Sequence, residues 1–378
     1  MISLIVWFIS IIHMSKICGI VSLNVIATIS RSQHPQVIGH AGASGYVPES
    51  TLIGYNLAAN LDADYSEPDL ILTMDGEFIA MHDLTLEGTT NVLEFPEYEN
   101  RKATFVIEGK AITGYYAINF TLAEIKSLRV RQRFDTRTTL FDWLFQVPTL
   151  DEIINWQLNI YNTTNRLVGI YPELKHPDWY NEMGYPMEDL LLEKLSMAGY
   201  LVSGEDTPRD LRSVVPVAIQ CFKSSSLRYL AQRTNIPLVQ LLGISAEAPT
   251  PDLVYNQKVL DAIMTYASAV APDKKIFSTD MGTSVSKAME MRKWAFDRNL
   301  YFIPWSFQQE EKYIPLQFNG DSVAELQFYY GCLQSSAIFH EFPDRAREVL
   351  DSCPNVSENK TNNHQDMELH RCFVVCKL

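Results

Sequence analysis

The sequence predicts an α/β protein, a (β/α)8 TIM barrel with a β-hairpin and a long insertion after the second strand. Two observations support this fold class. Short apolar runs alternate with amphipathic helical patterns along the chain, which is typical of a parallel sheet. Eight of these runs can be joined by crossover connections, the number that a closed barrel needs. The length of 378 residues fits one such barrel, although it also fits two ordinary domains.

The predicted strands are short and rich in apolar residues. One further run, EFIAMH (77–82), follows the Asp75-Gly76 turn too closely for a crossover, so it is predicted to pair as a hairpin. The eight predicted barrel strands are QVIGH (36–40), YSEPDLIL (65–72), LVGIYPEL (167–174), VPVAIQCF (215–222), IPLVQLLG (236–243), SAVAP (268–272), LYFIPWSF (300–307) and SSAIFHEF (335–342).

Three segments depart from this alternation. The apolar N-terminal run has the length of a signal-peptide h-region, so residues 1–33 are predicted to be a cleaved signal peptide. An uncleaved N-terminal anchor and a buried helix are the alternatives. The barrel is predicted over 34–350, with an irregular insertion at about 91–147 that packs over one end. Residues 351–378 form a polar, cysteine-containing tail.

Export agrees with two further features of the sequence. Cysteines crowd the C-terminal end, where one or two disulfides are expected, with Cys332 as a candidate partner and the pairing left open. Cys221 lies in an apolar strand and is predicted to be a buried thiol. The chain is therefore expected to be secreted or lumenal. Four N-x-[ST] sequons are candidate glycosylation sites: Asn119, Asn162, Asn355 and Asn359.

The formal net charge is −14, which argues against a nucleic-acid partner or an anionic lipid surface. We expect a small-molecule ligand, no nucleic acid and no membrane span in the mature chain, and the oligomeric state is left open. An anion can still bind in one cleft, because the charge of the whole chain does not describe a local cation there.

Carboxylates at the ends of two predicted strands indicate a metal site. Glu67 and Asp69 are two residues apart on one strand, so their side chains point to the same side. Two carboxylates in a partly buried mouth are stable as anions only with a cation between them. Glu173 would add a third oxygen ligand, and an all-carboxylate set suits Ca²⁺ or Mg²⁺ rather than zinc. The alternative is that Glu67 and Asp69 cap a helix or pair with surface cations.

Two histidines follow apolar strands near these carboxylates. His40 ends VIGH, and His82 ends FIAMH. A general acid and a general base on either side of a metal-held phosphate or ester would have this arrangement. Each histidine could instead be a structural residue. The residues alone predict a metal-dependent hydrolase on a barrel.

Several motifs occur in one order along the chain. Residues 39–92 contain GHAGASGYVPEST, EPDLILTMDG and HDLTLEGTT. They resemble the opening block of glycerophosphodiester phosphodiesterases, H-R-G-A-S-G-x-x-P-E-[NH]-T, E-x-D-[LV]-x-x-T-x-D-G and H-D-x-x-L-x-x-T-T. YPELKHP (171–177), IQCF (219–222) and AIFHEFPD (337–344) resemble later blocks of the family. GYYAINFTLAEIKSL (114–128) is similar to the periplasmic-type branch.

The resemblance implies metal-dependent hydrolysis of glycerophosphodiesters, such as glycerophosphocholine, to an alcohol and glycerol 3-phosphate. It implies that His40 and His82 are the acid–base pair. It also implies one divalent cation, Ca²⁺ in preference to Mg²⁺, held by Glu67, Asp69 and Glu173.

Four further residues acquire expected roles from the same resemblance. Lys175 would neutralise the phosphodiester oxygens as charge builds in the transition state. Gln220 is expected to bind substrate, and Trp305 to line the glycerol or alcohol side, with plain packing as the alternative. Glu49 would orient the groups that bind metal or substrate.

The chain departs from the family pattern at several positions. Ala41 replaces an arginine that binds phosphate, a loss of roughly 2–4 kcal/mol of transition-state stabilisation. His340-Glu341 replaces Thr-Asp and is expected to place a longer acid and an extra imidazole in the mouth. Ser50 and Cys221 are mild changes. The missing arginine leaves two alternatives open: a phosphodiesterase of other specificity, such as a lysophospholipid, or a weakly active or non-catalytic relative that binds a phosphorylated ligand.

Overall fold

The structure is a computed structural model that describes residues 35–200, 217–243, 256–278 and 285–352. The predicted leader, the sequons at Asn355 and Asn359, and the cysteines of the predicted tail lie outside the described residues. Within them, none of the helices combines the length and apolarity needed to cross a bilayer.

Parallel strands form a ring, as the apolar alternation predicts. The β1 strand pairs with β13 on one side and β2 on the other, and β8 to β12 pair in sequence order. The last two strand segments also meet, because the Phe307 amide donates to the Phe339 carbonyl at 2.8 Å. The strands are β1 (Gln36–His40), β2 (Tyr65–Glu67), β3 (Asp69–Leu72), β4 (Phe78–Ala80), β5 (Ala103–Ile107), β6 (Lys110–Gly114), β7 (Gly169–Ile170), β8 (Glu173–Leu174), β9 (Ile219–Cys221), β10 (Leu238–Leu242), β11 (Ala269–Pro272), β12 (Tyr301–Phe302) and β13 (Ala337–His340).

Helices follow the strands and cover the outside of the ring. Several begin at a side chain that satisfies an otherwise unpaired backbone amide: Thr51 accepts from the Gly54 amide, and Thr149 forms a capping box with Glu152. The α-helices are α1 (Leu52–Asn60), α2 (Leu122–Ser127), α3 (Leu150–Thr164), α4 (Pro177–Glu182), α5 (Met187–Met197), α6 (Ser224–Ala231), α7 (Gln257–Ile263), α8 (Val285–Phe296), α9 (Ser322–Gln327) and α10 (Pro343–Ser352).

Two strands that the sequence predicts as continuous are interrupted by proline. Pro68 separates β2 from β3, and Pro172 separates β7 from β8. Proline has no amide hydrogen to donate to a sheet, so the pairing breaks there. Each proline still accepts through its carbonyl, from the Glu173 and Gln220 amides respectively, both at 2.9 Å. The ring therefore continues across both interruptions.

The hairpin predicted after Asp75-Gly76 is present, since β3 and β4 are antiparallel. Residues 91–147 form a second hairpin, β5–β6, together with the short helix α2. The turn of this hairpin reaches the carboxyl ends of the barrel strands: Glu108 lies 2.5 Å from Lys223 Nζ, two residues after β9. This segment, here called the insertion, therefore borders the end of the barrel where active sites of this fold lie.

Candidate active site

Three carboxylates meet at the carboxyl ends of the strands. Glu67 ends β2, while Asp69 begins β3 just after Pro68, and Glu173 begins β8. One ligand oxygen from each lies within 4.8 Å of the others. They are 1%, 2% and 6% exposed, respectively. The spacing that predicted a metal site thus produces one buried acidic cluster.

The electrostatics of this cluster follow from its burial and from Lys175. Lys175 Nζ lies 2.9 Å from Glu173 Oε1 and 3.6 Å from Asp69 Oδ1. Burial and the charge of Asp69 raise the pKa of Glu67 to about 8. Burial also acts to raise the pKa of Asp69, but Lys175 and the nearby histidines hold it below its usual value. Three buried carboxylates with oxygens this close together fit a divalent cation, and an all-oxygen set fits Ca²⁺ or Mg²⁺.

Gln220 lies beside the carboxylate cluster. Its Nε2 donates to Glu67 Oε1 at 3.0 Å, and the Ala41 amide donates to Glu67 Oε2 at 2.8 Å. Both contacts hold the Glu67 carboxylate in one orientation. Gln220, expected from the resemblance to bind substrate, therefore also orients a carboxylate of the cluster.

His40 and His82 lie on either side of the carboxylates, and each contacts an acidic residue through Nδ1. His40 Nδ1 is 3.3 Å from Glu341 Oε1, and His82 Nδ1 is 2.8 Å from Asp83 Oδ1. A carboxylate can only accept, so both Nδ1 atoms carry the proton and Nε2 is the atom that can face substrate.

The pKa values of both histidines follow from these contacts. Burial alone would lower the pKa of His40, but contact with Glu341 and the charges of Glu67 and Asp69 raise it to about 9. For His82, whose side chain is 47% exposed, the charge of Lys175 and partial desolvation of the ring act to lower the pKa. The charges of Asp69 and Asp83 and the hydrogen bond to Asp83 outweigh them, so the pKa is raised.

These groups open into one cavity of about 180 Å³. Trp305 lines it and is also fixed by packing, because its Nε1 donates to the Ala271 carbonyl at 2.7 Å and its ring meets Phe222 edge to face. The two roles considered for Trp305 from the sequence, lining the substrate side and packing, are therefore compatible. The cavity is lined by His40, Glu67, Asp69, His82, Glu173, Lys175, Gln220, Phe222, Leu241, Trp305 and Phe339.

The expectation that His340 would lie in the mouth is wrong. Successive residues of a strand face opposite sides, and Phe339 faces the cavity. His340 therefore points away from it and is fully buried, with its Nδ1 accepting from the Phe342 amide at 2.8 Å. Burial and the charge of Lys274 lower the pKa of His340 to about 3. The neighbouring Glu341 is not among the lining residues either, but it contacts His40, which lines the cavity.

Two arginines near the site were missed by the sequence analysis. Glu49, expected to orient site groups, binds Arg133 through both carboxylate oxygens at 2.7 and 2.8 Å. Arg133 in turn contacts Asp83, and Arg137 contacts Glu341. Both arginines lie in an irregular part of the insertion, where no strand end or spacing marks them as site residues.

The fold and site together define a class of protein: an α/β barrel with a buried carboxylate cluster that could hold a metal ion and with two histidines in the same cavity. A family model of the glycerophosphoryl diester phosphodiesterase family matches residues 40–321. The chain belongs to this family, and it is accordingly an enzyme that hydrolyses phosphoric diesters.

Curated relatives agree with this assignment. The chain is 29% identical to the glycerophosphodiester phosphodiesterase GDPD6 of Arabidopsis thaliana over 324 residues, covering 82% of this chain and 85% of that protein. It is 34% identical to a glycerophosphodiester phosphodiesterase of Haemophilus influenzae over 266 residues, covering 62% of this chain and 68% of that protein.

Solved structures share the fold. One from Silicibacter pomeroyi, described as a putative glycerophosphoryl diester phosphodiesterase, has a TM-score of 0.60 at 18% identity, covering 85% of this chain and 94% of that one. A phosphodiesterase of Oleispira antarctica, solved with its product sn-glycerol-3-phosphate, has a TM-score of 0.54 at 18% identity, covering 85% of this chain and 98% of that one. The predicted barrel is thereby confirmed.

Proposed function

We propose that the protein hydrolyses glycerophosphodiesters such as glycerophosphocholine, releasing the alcohol and glycerol 3-phosphate. The observation that carries the proposal is the acidic cluster with His40 and His82 on either side of one small cavity. The product found in the Oleispira antarctica relative supports a glycerol phosphate ligand.

In the proposed reaction, His40 and His82 are the acid–base pair. One imidazole Nε2 removes the proton of the attacking hydroxyl, from water or from the glycerol hydroxyl next to the phosphate. The other donates a proton to the departing alcohol oxygen. When the glycerol hydroxyl attacks first, water then opens the cyclic phosphate, so either route consumes one water. Lys175 stabilises the developing negative charge on the phosphoryl oxygens, while Gln220 and Trp305 border the substrate.

The cation that we propose for this site is held by Glu67, Asp69 and Glu173. A bound divalent cation would polarise the phosphoryl oxygens and keep the three carboxylates in their charged form. Carboxylate oxygens suit Ca²⁺ and Mg²⁺ alike, and we propose Ca²⁺ because an exported protein meets it at high concentration.

We further propose that the protein is a secreted or lumenal member of the periplasmic-type branch. Support comes from the apolar N-terminal segment, from the motif at 114–128 and from the sequons. Asn162 is exposed and open to glycosylation, whereas the amide of Asn119 donates to the Arg101 carbonyl. N-terminal sequencing and glycosidase treatment of the protein from its natural host would test this.

The activity is tested by incubating the purified full chain with glycerophosphocholine and measuring glycerol 3-phosphate. We expect product that is abolished by EDTA and restored by Ca²⁺ more effectively than by Mg²⁺. A parallel assay with lysophosphatidylcholine separates the two substrate classes, and turnover there above that of glycerophosphocholine would favour the alternative specificity.

Histidine variants test the acid–base roles in the same assay. His40→Ala and His82→Ala should each lower kcat by about 10²- to 10⁴-fold. His176→Ala is a control, because His176 is the N-cap residue before α4 and does not line the cavity. A protein with bound metal and no product at high enzyme concentration would contradict the proposed activity.

A further inference from the structure

The two site histidines are held in the same way, by a carboxylate whose second oxygen meets an arginine. On one side, His82 Nδ1 contacts Asp83 Oδ1 at 2.8 Å, and Asp83 Oδ2 accepts from Arg133 Nη1 at 2.8 Å. On the other, His40 Nδ1 lies 3.3 Å from Glu341 Oε1, and Glu341 Oε2 forms an ion pair with Arg137 Nη2. Each histidine is thus the first member of a histidine–carboxylate–arginine chain.

Each arginine is fixed on its far side by a further glutamate. Glu49 binds Nε and Nη2 of Arg133 at 2.8 and 2.7 Å. Glu310 binds the same two nitrogens of Arg137 at 2.6 and 3.2 Å. A planar guanidinium held by both oxygens of a carboxylate has a defined orientation. Neither arginine is therefore a freely rotating surface side chain.

Both arginines come from the insertion and lie four residues apart in it. The side chain of Arg137 is 3% exposed and that of Arg133 is 25% exposed. Neither lines the cavity that holds the carboxylates and histidines. The two arginines therefore contact the site histidines through Asp83 and Glu341. Through these carboxylates they can position the imidazoles without touching the substrate.

We propose that Arg133 and Arg137 are positioning residues of the phosphodiesterase, each fixing one histidine of the acid–base pair through its carboxylate. This inference rests on the proposed function of His40 and His82. The insertion thereby orients the catalytic pair in a chain whose residue after His40 is Ala41, which has no charge to contribute. A carboxylate that is itself anchored keeps the Nδ1 proton in place and aims Nε2 at the substrate.

Double-mutant cycles test the two chains separately. Arg133→Gln and Arg137→Gln should each lower kcat for glycerophosphocholine by about 10- to 100-fold with little change in KM. Adding Arg133→Gln to Asp83→Asn should lower kcat little further, because the two changes break one chain. Combining Arg133→Gln with Glu341→Gln should multiply the two separate losses, because these residues belong to different chains. Arg133→Lys should have more activity than Arg133→Gln but less than the wild type, because lysine lacks the planar guanidinium that binds a carboxylate through two nitrogens.

A second readout does not depend on turnover. In metal-free protein, Arg133→Gln should move the ¹⁵N NMR signals of the His82 ring and leave those of His40 in place, and Arg137→Gln should do the reverse. Arg129→Gln is the matched control, because Arg129 lies in the insertion but donates to backbone carbonyls of residues 126–128. It should change neither kcat nor the ring signals. Thermal unfolding of every variant identifies any loss of fold.

Three results would overturn the proposal: full kcat in folded Arg133→Gln and Arg137→Gln, additive losses within each chain, or ring signals that do not respond. A wild-type protein with no phosphodiesterase activity would instead defeat the proposed function. The NMR arm would still report whether the arginines hold the two rings.

Discussion

The barrel and the insertion contribute to the site in different ways. The barrel supplies the groups that would touch metal and substrate, all at strand ends: the carboxylate cluster, the two histidines and Lys175. The insertion supplies arginines that reach the histidines only through other residues. The comparison indicates that the barrel determines which chemistry is available, whereas the insertion affects how firmly its groups are held.

Two lysine ion pairs, one from each region, differ in environment. Lys274 and Glu325 are 3.0 Å apart in the barrel, with both side chains 1% exposed. Lys126 of the insertion lies closer to Glu152, at 2.7 Å, but these side chains are 24% and 40% exposed. Burial, rather than the distance between the two charges, determines how much stability is lost when an ion pair is broken. Water can solvate the remaining charge at an exposed pair but not at a buried one.

The largest effect is expected at the barrel cluster. Glu67→Gln keeps the shape of the side chain but removes a metal ligand, so we expect kcat/KM for glycerophosphocholine to fall by about 10³-fold or more. Metal content of the purified variant, measured by elemental analysis, should fall with it. Glu193→Gln, an exposed change on α5, is the control and should alter neither quantity. Full activity in folded Glu67→Gln would contradict the proposed metal site.

Much of the barrel could be predicted because its residues obey local rules. Period-two spacing brings Glu67 and Asp69 to one side, and apolar runs ending in His40 and His82 bring these to the mouth. The same alternation means that only one of Phe339 and His340 on β13 can face the cavity. The sequence does not show which of the two faces inward, so His340 could not be excluded from the mouth. Two prolines within the strands interrupted the pairing without moving the carboxylates out of the mouth.

The roles of the insertion arginines could not be predicted in this way. Arg133 meets Glu49 and Asp83 across 84 and 50 residues of sequence, and Arg137 meets Glu310 across 173. Contacts over such separations depend on how an irregular segment folds back over the barrel, for which no hydrophobic period exists. The Asp83 contact was within reach of sequence reasoning, because Asp83 follows His82 directly.

A matched pair of lysine substitutions tests the energetic side of the comparison. Lys274→Met leaves Glu325 buried without its partner and should lower the free energy of unfolding by about 3–5 kcal/mol at pH 8. Lys126→Met should cost about 1 kcal/mol or less.

Burial already raises the pKa of Glu325 to about 7, so the cost of Lys274→Met should shrink at pH 5, where Glu325 is protonated. Urea unfolding at both pH values measures this, and equal costs for the two variants would show that burial is not decisive.

The last effect concerns the pH dependence of stability and is expected from His340. Its pKa is lowered to about 3 by burial and the charge of Lys274, whereas an unfolded histidine titrates near 6.5. The folded state therefore binds fewer protons between these values, so this contribution to stability is complete above pH 6.5 and is lost as the pH falls toward 3. Within that window this contribution changes the free energy of unfolding by about 1.4 kcal/mol per pH unit.

His340→Gln removes this titration while keeping a side chain that can accept from the Phe342 amide. The stability advantage of the wild type over the variant should thus be largest at pH 7 and decline steadily to pH 4.5, as followed by urea unfolding. Other groups titrate equally in both proteins, so the difference isolates His340. A difference that is constant with pH would mean that the pKa of His340 is not lowered in the folded protein, and that its pocket within the barrel is more polar than its contacts indicate.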